Sequence, residues 1–145
     1  MLNNRRWFAV VLVGGALLLG GCADTETSES EGDPAATIEE VAGSDVLKVT
    51  LTDLAVKRLQ LTTAAVAAGP AGAALQVPYA AVVYDTDGAA WVYTSPAKNA
   101  FVRTRVTITD IKGTVATLSA GPPVGTQVVT VGTAELLGAE AELGA

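Results

Sequence analysis

The sequence of 145 residues has no histidine, one cysteine and one methionine. Without histidine it lacks a common zinc ligand and the usual general base of nucleophilic enzymes. One cysteine cannot form an internal disulfide framework, and the one methionine is Met1, so a methionine cluster for soft metals is excluded as well. These absences predict a protein that is not an enzyme and that holds no metal and no cofactor.

Aromatic residues make up only 5% of the chain, although 50% of it is apolar. The core must therefore be built mainly from valine, leucine and alanine, and so much apolar content excludes a wholly disordered chain. The length suits a single domain, because compact domains usually contain roughly 100 to 150 residues. The formal charge of -6 argues against a nucleic-acid partner.

The N-terminus has the layout of a secretory signal. Arg5 and Arg6 precede an uncharged, largely apolar run over residues 7–21. A helix that crosses a bilayer needs about 20 apolar residues. The run therefore fits a signal peptide over residues 1–21 better than a membrane span.

The residues that end this run, Leu19, Gly20, Gly21 and Cys22, resemble the lipobox of bacterial lipoproteins. The resemblance implies cleavage before Cys22 and lipidation of its thiol, which places the protein at the outer face of the cytoplasmic membrane. Two or more acyl chains suffice for stable anchoring. The position of Cys22 directly after the apolar run favours lipidation over an uncleaved signal anchor with an incidental cysteine, and over a catalytic thiol.

Residues 22–45 are expected to form a disordered acidic linker. Between residues 23 and 45 the chain has no lysine or arginine and eight acids: Asp24, Glu26, Glu29, Glu31, Asp33, Glu39, Glu40 and Asp45. Such a segment buries too little apolar surface to offset the entropy lost on ordering. Its like charges either hold the domain away from an anionic membrane or belong to a solvated linker without a specific partner.

Residues 46–133 show the alternation of apolar and polar side chains that is typical of short strands. We therefore expect a mainly β domain, a small antiparallel β-sandwich or barrel-like fold. One short helix is expected from Asp53 to about Leu59. Thr52 is a good N-cap for it, and Asp53 lies at its positive end.

The last residues of the chain have only weak helical spacing, at Leu136, Leu137 and Glu140. Two glycines interrupt this spacing, and glycine inside a helix is destabilising. Residues 134–145 are therefore expected to be a flexible tail.

A β-hairpin is the clearest local signal, because Asp87-Gly88 suits a type I′ turn. A two-residue loop pairs Tyr84 with Trp91, and a four-residue loop pairs Val82 with Trp91. Either register gives one face the same side chains: Val82, Tyr84, Trp91 and Tyr93. This aromatic face is expected to pack inward, and the alternative is a platform that stacks on sugars.

Arg103 and Arg105 lie on one face of a predicted strand. They are candidate contacts for an anionic partner, and the alternative is that they only form a solvated strand face. Asp85 and Asp87 flank one turn and have the chemistry for acid–base catalysis or Ca²⁺ binding. A calcium loop of EF-hand type that starts at Asp85 has Pro96 at its twelfth position, where an acidic ligand is required. Hairpin turns favour aspartate for backbone reasons alone.

Three stretches, residues 49–66, 77–94 and 105–132, resemble the membrane-proximal domain of periplasmic adaptor subunits, also called membrane fusion proteins, of resistance-nodulation-division efflux pumps and related exporters. In that family the two ends of the chain form this small β-rich unit. The family places a lipoyl-like domain, an α-helical hairpin and a β-barrel domain between the two ends. Here the loop at residues 69–74 stands in their place.

The resemblance implies a lipid-anchored, extracytoplasmic, adaptor-like module without the long arm, which contacts an integral-membrane transporter for efflux or export. The expected partners are therefore the membrane, through the anchor, and the transporter. The alternative is a lipoprotein unrelated to transport, in which the hairpin aromatics and the two arginines bind a ligand or the cell wall.

Overall fold

The computed structural model describes residues 34–69 and 74–144. Cys22, the signal peptide and the first part of the acidic linker lie outside the described residues. In chain order the described elements are β1 (Ala36–Glu40), β2 (Leu47–Leu51), α1 (Asp53–Arg58), β3 (Thr62–Ala65), β4 (Ala67–Ala68), β5 (Leu75–Pro78), a 3₁₀ turn (Tyr79–Ala81), β6 (Val82–Tyr84), β7 (Ala90–Ala97), β8 (Ala100–Arg105), β9 (Thr107–Lys112), β10 (Val115–Ala120), β11 (Gln127–Val131) and α2 (Thr133–Leu143). The prediction of a mainly β fold is confirmed.

Two antiparallel sheets form the body. The large sheet has the order β1-β2-β8-β7-β11-β3, with β6 also paired to β7, and the small sheet has the order β4-β5-β10-β9. Segments from both halves of the chain interleave: β2 pairs with β8, and β3 pairs with β11. The chain passes from the large sheet to the small one at Val66, which is 1% exposed.

Both faces of the large sheet are covered, so the core has two layers. Between the two sheets lies a cluster of Val66, Val77, Ala81, Val92, Val106, Ala116, Leu118 and Val128. On the opposite face lies a second cluster, which includes residues of both helices: Val49, Leu51, Ala55, Tyr93, Phe101, Val129 and Leu136. Valine, leucine and alanine supply most of both layers, as the shortage of aromatic residues requires.

Helix α1 begins where the sequence indicates. Thr52 is the N-cap, as predicted: its hydroxyl oxygen accepts a 3.1 Å hydrogen bond from the backbone N–H of Ala55. The helix ends at Arg58, one residue before the predicted end, and Ala55 is its buried residue. Asp53 in the first turn and the basic residues in the last turn match the helix dipole.

The expected disordered linker is wrong over residues 36–40, which form the edge strand β1. Ala36 pairs with Leu51 and Ile38 with Val49 in antiparallel register. Alternation explains the strand, because Ala36 and Ile38 pack on the second cluster while Thr37 and Glu39 remain exposed. The folded body therefore begins before residue 46.

The expected flexible tail is also wrong, because residues 133–143 form helix α2. Leu136 is fully buried and Leu137 packs beside it on the second cluster. The weak spacing noted in the sequence places Glu140 on the same side as Leu136, one turn later. Tertiary packing of this face outweighs the cost of the helix glycines.

The hairpin forms, but its predicted registers and its predicted aromatic face are wrong. Val83 pairs with Trp91 and Tyr84 with Ala90, a shift of one residue from either expected register. A shift of one residue moves side chains to the opposite face. Tyr84 is therefore 45% exposed on the face away from Trp91, whereas Tyr93 is fully buried.

The hairpin turn is not of type I′, since Gly88 has φ +79° and Asp87 is not among the described residues with positive φ. The backbone N–H of Gly88 donates a 3.1 Å hydrogen bond to the carbonyl of Asp85. Aspartate at the first position and glycine at the fourth are typical of a type I turn.

Candidate functional site

Strands β7 and β8 bring together the two arginines and two of the hairpin aromatics that the sequence singled out. Their antiparallel register pairs Trp91 with Arg105 and Tyr93 with Arg103. Residues directly opposite each other point to the same face of a sheet. All four side chains therefore lie on the helix-covered face of the large sheet, together with Glu140 from α2.

Both guanidinium groups lie over the Trp91 indole. The Arg103 Cζ atom is 4.9 Å from the ring centroid and the Arg105 Cζ atom is 5.8 Å from it. At these distances a cation is attracted by the negative face of the ring. We call Trp91, Arg103 and Arg105 the arginine–tryptophan surface.

The charge of Arg103 is paired within the protein, with the carboxylate of Glu140. Its Nε atom is 3.0 Å from Oε1 of Glu140, and the two side chains are 20% and 5% exposed. Among the described residues no acceptor is aligned with that N–H, so the contact is an ion pair and not a hydrogen bond. Arg105 is the exposed member of the pair, and the two predicted contact residues thus have different environments.

Glu140 joins the helix to the sheet through a second contact. The Tyr93 hydroxyl donates a 2.6 Å hydrogen bond to Oε2 of Glu140. Burial, followed by the hydrogen bond to this carboxylate, raises the pKa of Tyr93 well above its usual range. Tyr93 is therefore a neutral donor at physiological pH.

An open cavity of about 210 Å³ borders this network. Asp45, Leu47, Leu137 and Gly144 line it together with the Arg103–Glu140 ion pair. One guanidinium and two carboxylates share its wall, so the wall carries one net negative charge. The cavity has no excess positive charge that would select an anion.

Asp85 holds the hairpin turn next to the arginine–tryptophan surface. Its Oδ1 atom accepts hydrogen bonds from the N–H groups of Asp87 at 3.0 Å and Ala89 at 2.7 Å, and its Oδ2 atom accepts one from the Trp91 indole at 2.9 Å. The indole bond above all, and then the two backbone bonds and the charge of Arg105, lower the pKa of Asp85. This carboxylate positions Trp91, and the geometry gives it a structural role beside the acid–base and calcium roles considered above.

Within residues 34–69 and 74–144, no three carboxylates or other metal-ligating side chains come together. In the same part of the chain, no helix combines the length and the apolarity that a membrane span requires.

The two arginines are evident from the sequence, but the contacts that fix them are not. Trp91 was expected in the core, with a sugar-stacking or ligand-binding surface as the alternative, and Glu140 was noted only as part of a weak helical pattern. The signal that would have found Glu140 is its spacing of four residues from Leu136, since an acid on a buried helix face needs a basic partner. Cys22 lies outside the described residues, and its lipidation stays a prediction.

A scan against protein-family models and searches of curated proteins and of solved structures each found no match to the chain.

Proposed function

We propose that the protein is a non-catalytic, lipid-anchored module at the outer face of the cytoplasmic membrane, where it contacts a membrane transporter for efflux or export. The proposal depends on how three stretches of the chain fit together, those that resemble the membrane-proximal domain of an adaptor subunit. We call this domain the adaptor base. Strand β3 of the first stretch pairs with β11 of the third, and β11 pairs with β7 of the second. The distant stretches thus build one sheet, as the two ends of an adaptor chain do.

The connection between the first two stretches supports a contact role without a bridging role. Strands β4 and β5 pair directly, and the N–H of Gly69 donates a 2.8 Å hydrogen bond to the carbonyl of Ala74. An adaptor carries its arm at this position. A base without the arm retains a surface for the transporter and lacks the length to cross a periplasm.

The exposed part of the arginine–tryptophan surface is the proposed contact. Arg105 is exposed and lies over Trp91, whose ring is held in place by Asp85. Arginine and tryptophan are enriched at the centres of protein interfaces, where they supply apolar area together with hydrogen-bond donors.

Crosslinking in native membranes tests this contact. A photoreactive residue replaces Arg105 in the full chain, and the same residue at Ser119, which is exposed on the small sheet, serves as the control. Capture of an integral transporter subunit from position 105, and not from position 119, is the expected result. Equal capture from both positions, or no transporter subunit at all, contradicts the proposal.

The alternative, a ligand-binding or wall-binding lipoprotein, is favoured by one observation: two guanidinium groups lie over one indole, which brings hydrogen-bond donors and an aromatic ring together. Crosslinking from position 105 separates the two functions, because wall polymer alone in the product selects the alternative.

The anchor is tested separately with Cys22→Ser. This variant is expected to leave the membrane fraction and to lose its acyl label, and retention of both would contradict lipidation.

A further inference from the structure

Strand β9 ends the small sheet, and its outer edge carries an unusual pattern. Within the described residues β9 has one neighbouring strand, β10, and its other edge is unpaired. Five of its six residues are exposed, and the apolar Ile111 is 43% exposed. Ile111 is flanked by Asp110 and Lys112, whose side chains are 48% and 86% exposed. An open edge of this kind is a template for another strand.

The backbone of Ile111 faces this open edge. The turn between β9 and β10 is Gly113–Thr114, with φ +58° at Gly113, and Lys112 pairs with Val115 across it. The closing pair of a two-residue hairpin is hydrogen-bonded, and bonded pairs alternate with non-bonded pairs along a ladder. The pair of Ile111 with Ala116 is thus non-bonded, and the N–H and C=O of Ile111 point away from β10.

We propose that β9 pairs antiparallel with β9 of a second copy of this chain, with Ile111 opposite Ile111 on a two-fold axis. In this register Asp110 of each copy lies opposite Lys112 of the other. Both ion pairs follow from the one symmetry operation, because a two-fold interface is self-complementary. The two Ile111 backbones exchange a pair of hydrogen bonds, and the small sheets join into one continuous sheet.

Charge complementarity selects this occupant and this edge. Each copy has one Asp110–Lys112 ion pair, at 2.9 Å, and the two pairs within the copies are exchanged for two pairs between them, so every charge keeps a partner. The Asp110 carboxylate, which also accepts from the N–H of Ile111, is released to its new partner. The opposite edge of this sheet, β4, has only two residues, and β1 carries adjacent acids at Glu39 and Glu40 that oppose self-pairing.

The bulge at the start of β9 limits the interface to the segment near the turn. The register with β10 skips Thr109, which lies between Asp110 opposite Thr117 and Ile108 opposite Leu118. A bulge twists a strand away from indiscriminate pairing. Pairing is thus confined to residues 110–112, where the charges decide which partner fits.

The test is a charge-reversal cycle on the full chain, with its mass measured by sedimentation equilibrium in detergent over a range of concentrations. The native chain is expected to dimerise reversibly. Lys112→Asp and Asp110→Lys are each expected to weaken the dimer by at least about tenfold, because each places like charges opposite each other twice. The double variant Asp110→Lys, Lys112→Asp restores the opposite pairs and is expected to restore the dimer.

A cysteine crosslink tests the register. In a Cys22→Ser background, Ile111→Cys is expected to form a disulfide-linked dimer on oxidation, since a bonded antiparallel pair has a Cα–Cα distance of about 5.5 Å. Thr63→Cys, on the exposed edge strand β3, is the matched control and is expected to stay monomeric. A native chain that is monomeric at all concentrations overturns the proposal, as does a dimer indifferent to the charge reversals. Because the readout is mass, the result does not depend on whether the protein serves a transporter.

Discussion

Tyr93 and Glu140 are joined by a 2.6 Å hydrogen bond across 47 residues of sequence. The bond links β7, on the helix-covered face, to α2, which the sequence alone predicts to be a flexible tail. Because Glu140 also pairs with Arg103, one carboxylate connects the last helix to two strands of the large sheet.

Glu140→Ala is expected to lower the free energy of unfolding by about 2–4 kcal/mol, because it leaves a largely buried guanidinium and a buried hydroxyl without their partner. Glu142→Ala, on an exposed position of the same helix, is expected to change it by less than about 0.5 kcal/mol. Urea denaturation measures both. A double-mutant cycle with Arg103→Met isolates the ion pair, and additive effects would show that Glu140 acts without Arg103.

Stability is expected to fall in alkaline solution. Tyr93 has a pKa raised by burial and by its bond to Glu140, so its stabilisation is complete below the unfolded value of about 10 and declines as pH rises above it. The slope contributed by this one proton approaches about 1.4 kcal/mol per pH unit. Tyr93→Phe is expected to decline less steeply between pH 9 and 11, as measured by denaturant melts. Parallel curves for the two proteins would contradict this assignment.

Asp85 is expected to stabilise the hairpin in neutral solution and not in acid. The hydrogen bond from the Trp91 indole above all lowers its pKa, so its stabilisation is present above the unfolded value of about 3.8 and is lost as pH falls through the folded value. Asp85→Asn is therefore expected to be less stable than the native chain at pH 7 and closer to it at pH 3. Thermal melts at several pH values follow the difference. Asp87→Asn, at the exposed neighbouring position, is the control, and the same pH trend in it would contradict a specific role for Asp85.

Two glycines at α2 are expected to respond in opposite directions to alanine. Gly138 has open space where a Cβ would lie, and Gly138→Ala is expected to stabilise the protein by about 0.5–1 kcal/mol through helix propensity. Gly132 has φ +90°, and a Cβ there would clash with Leu61 Cδ2, so Gly132→Ala is expected to be destabilising by about 1–3 kcal/mol. Thermal denaturation distinguishes the two. Loss of stability in Gly138→Ala would contradict a docked helix with an open outer face.

Local chemistry explains which expectations from the sequence hold. The Thr52 cap and helix α1 depend on neighbouring residues, and both are confirmed by the structure. The hairpin register fails although it is local, because the loop between β6 and β7 has five residues, in place of the expected two or four, and the Asp85 side chain bonds two amides and an indole there.

Long-range partners explain the expectations that fail. Strand β1 gains its neighbour from β2, and α2 gains its place from Tyr93 and Arg103, so composition and spacing within either segment carry too little information. The two arginines look equivalent in the sequence, because only the folded chain shows that Glu140 reaches Arg103 and not Arg105.

The backbone hydrogen bond between Gly69 and Ala74 makes the β4–β5 hairpin a site at which another domain can be inserted. Its two ends already lie side by side, so any domain whose own termini are adjacent can be inserted there without moving a strand of the body. Evolution can lengthen or shorten the chain at this hairpin while both core layers stay intact. A body of this kind can therefore be inherited with or without an inserted domain.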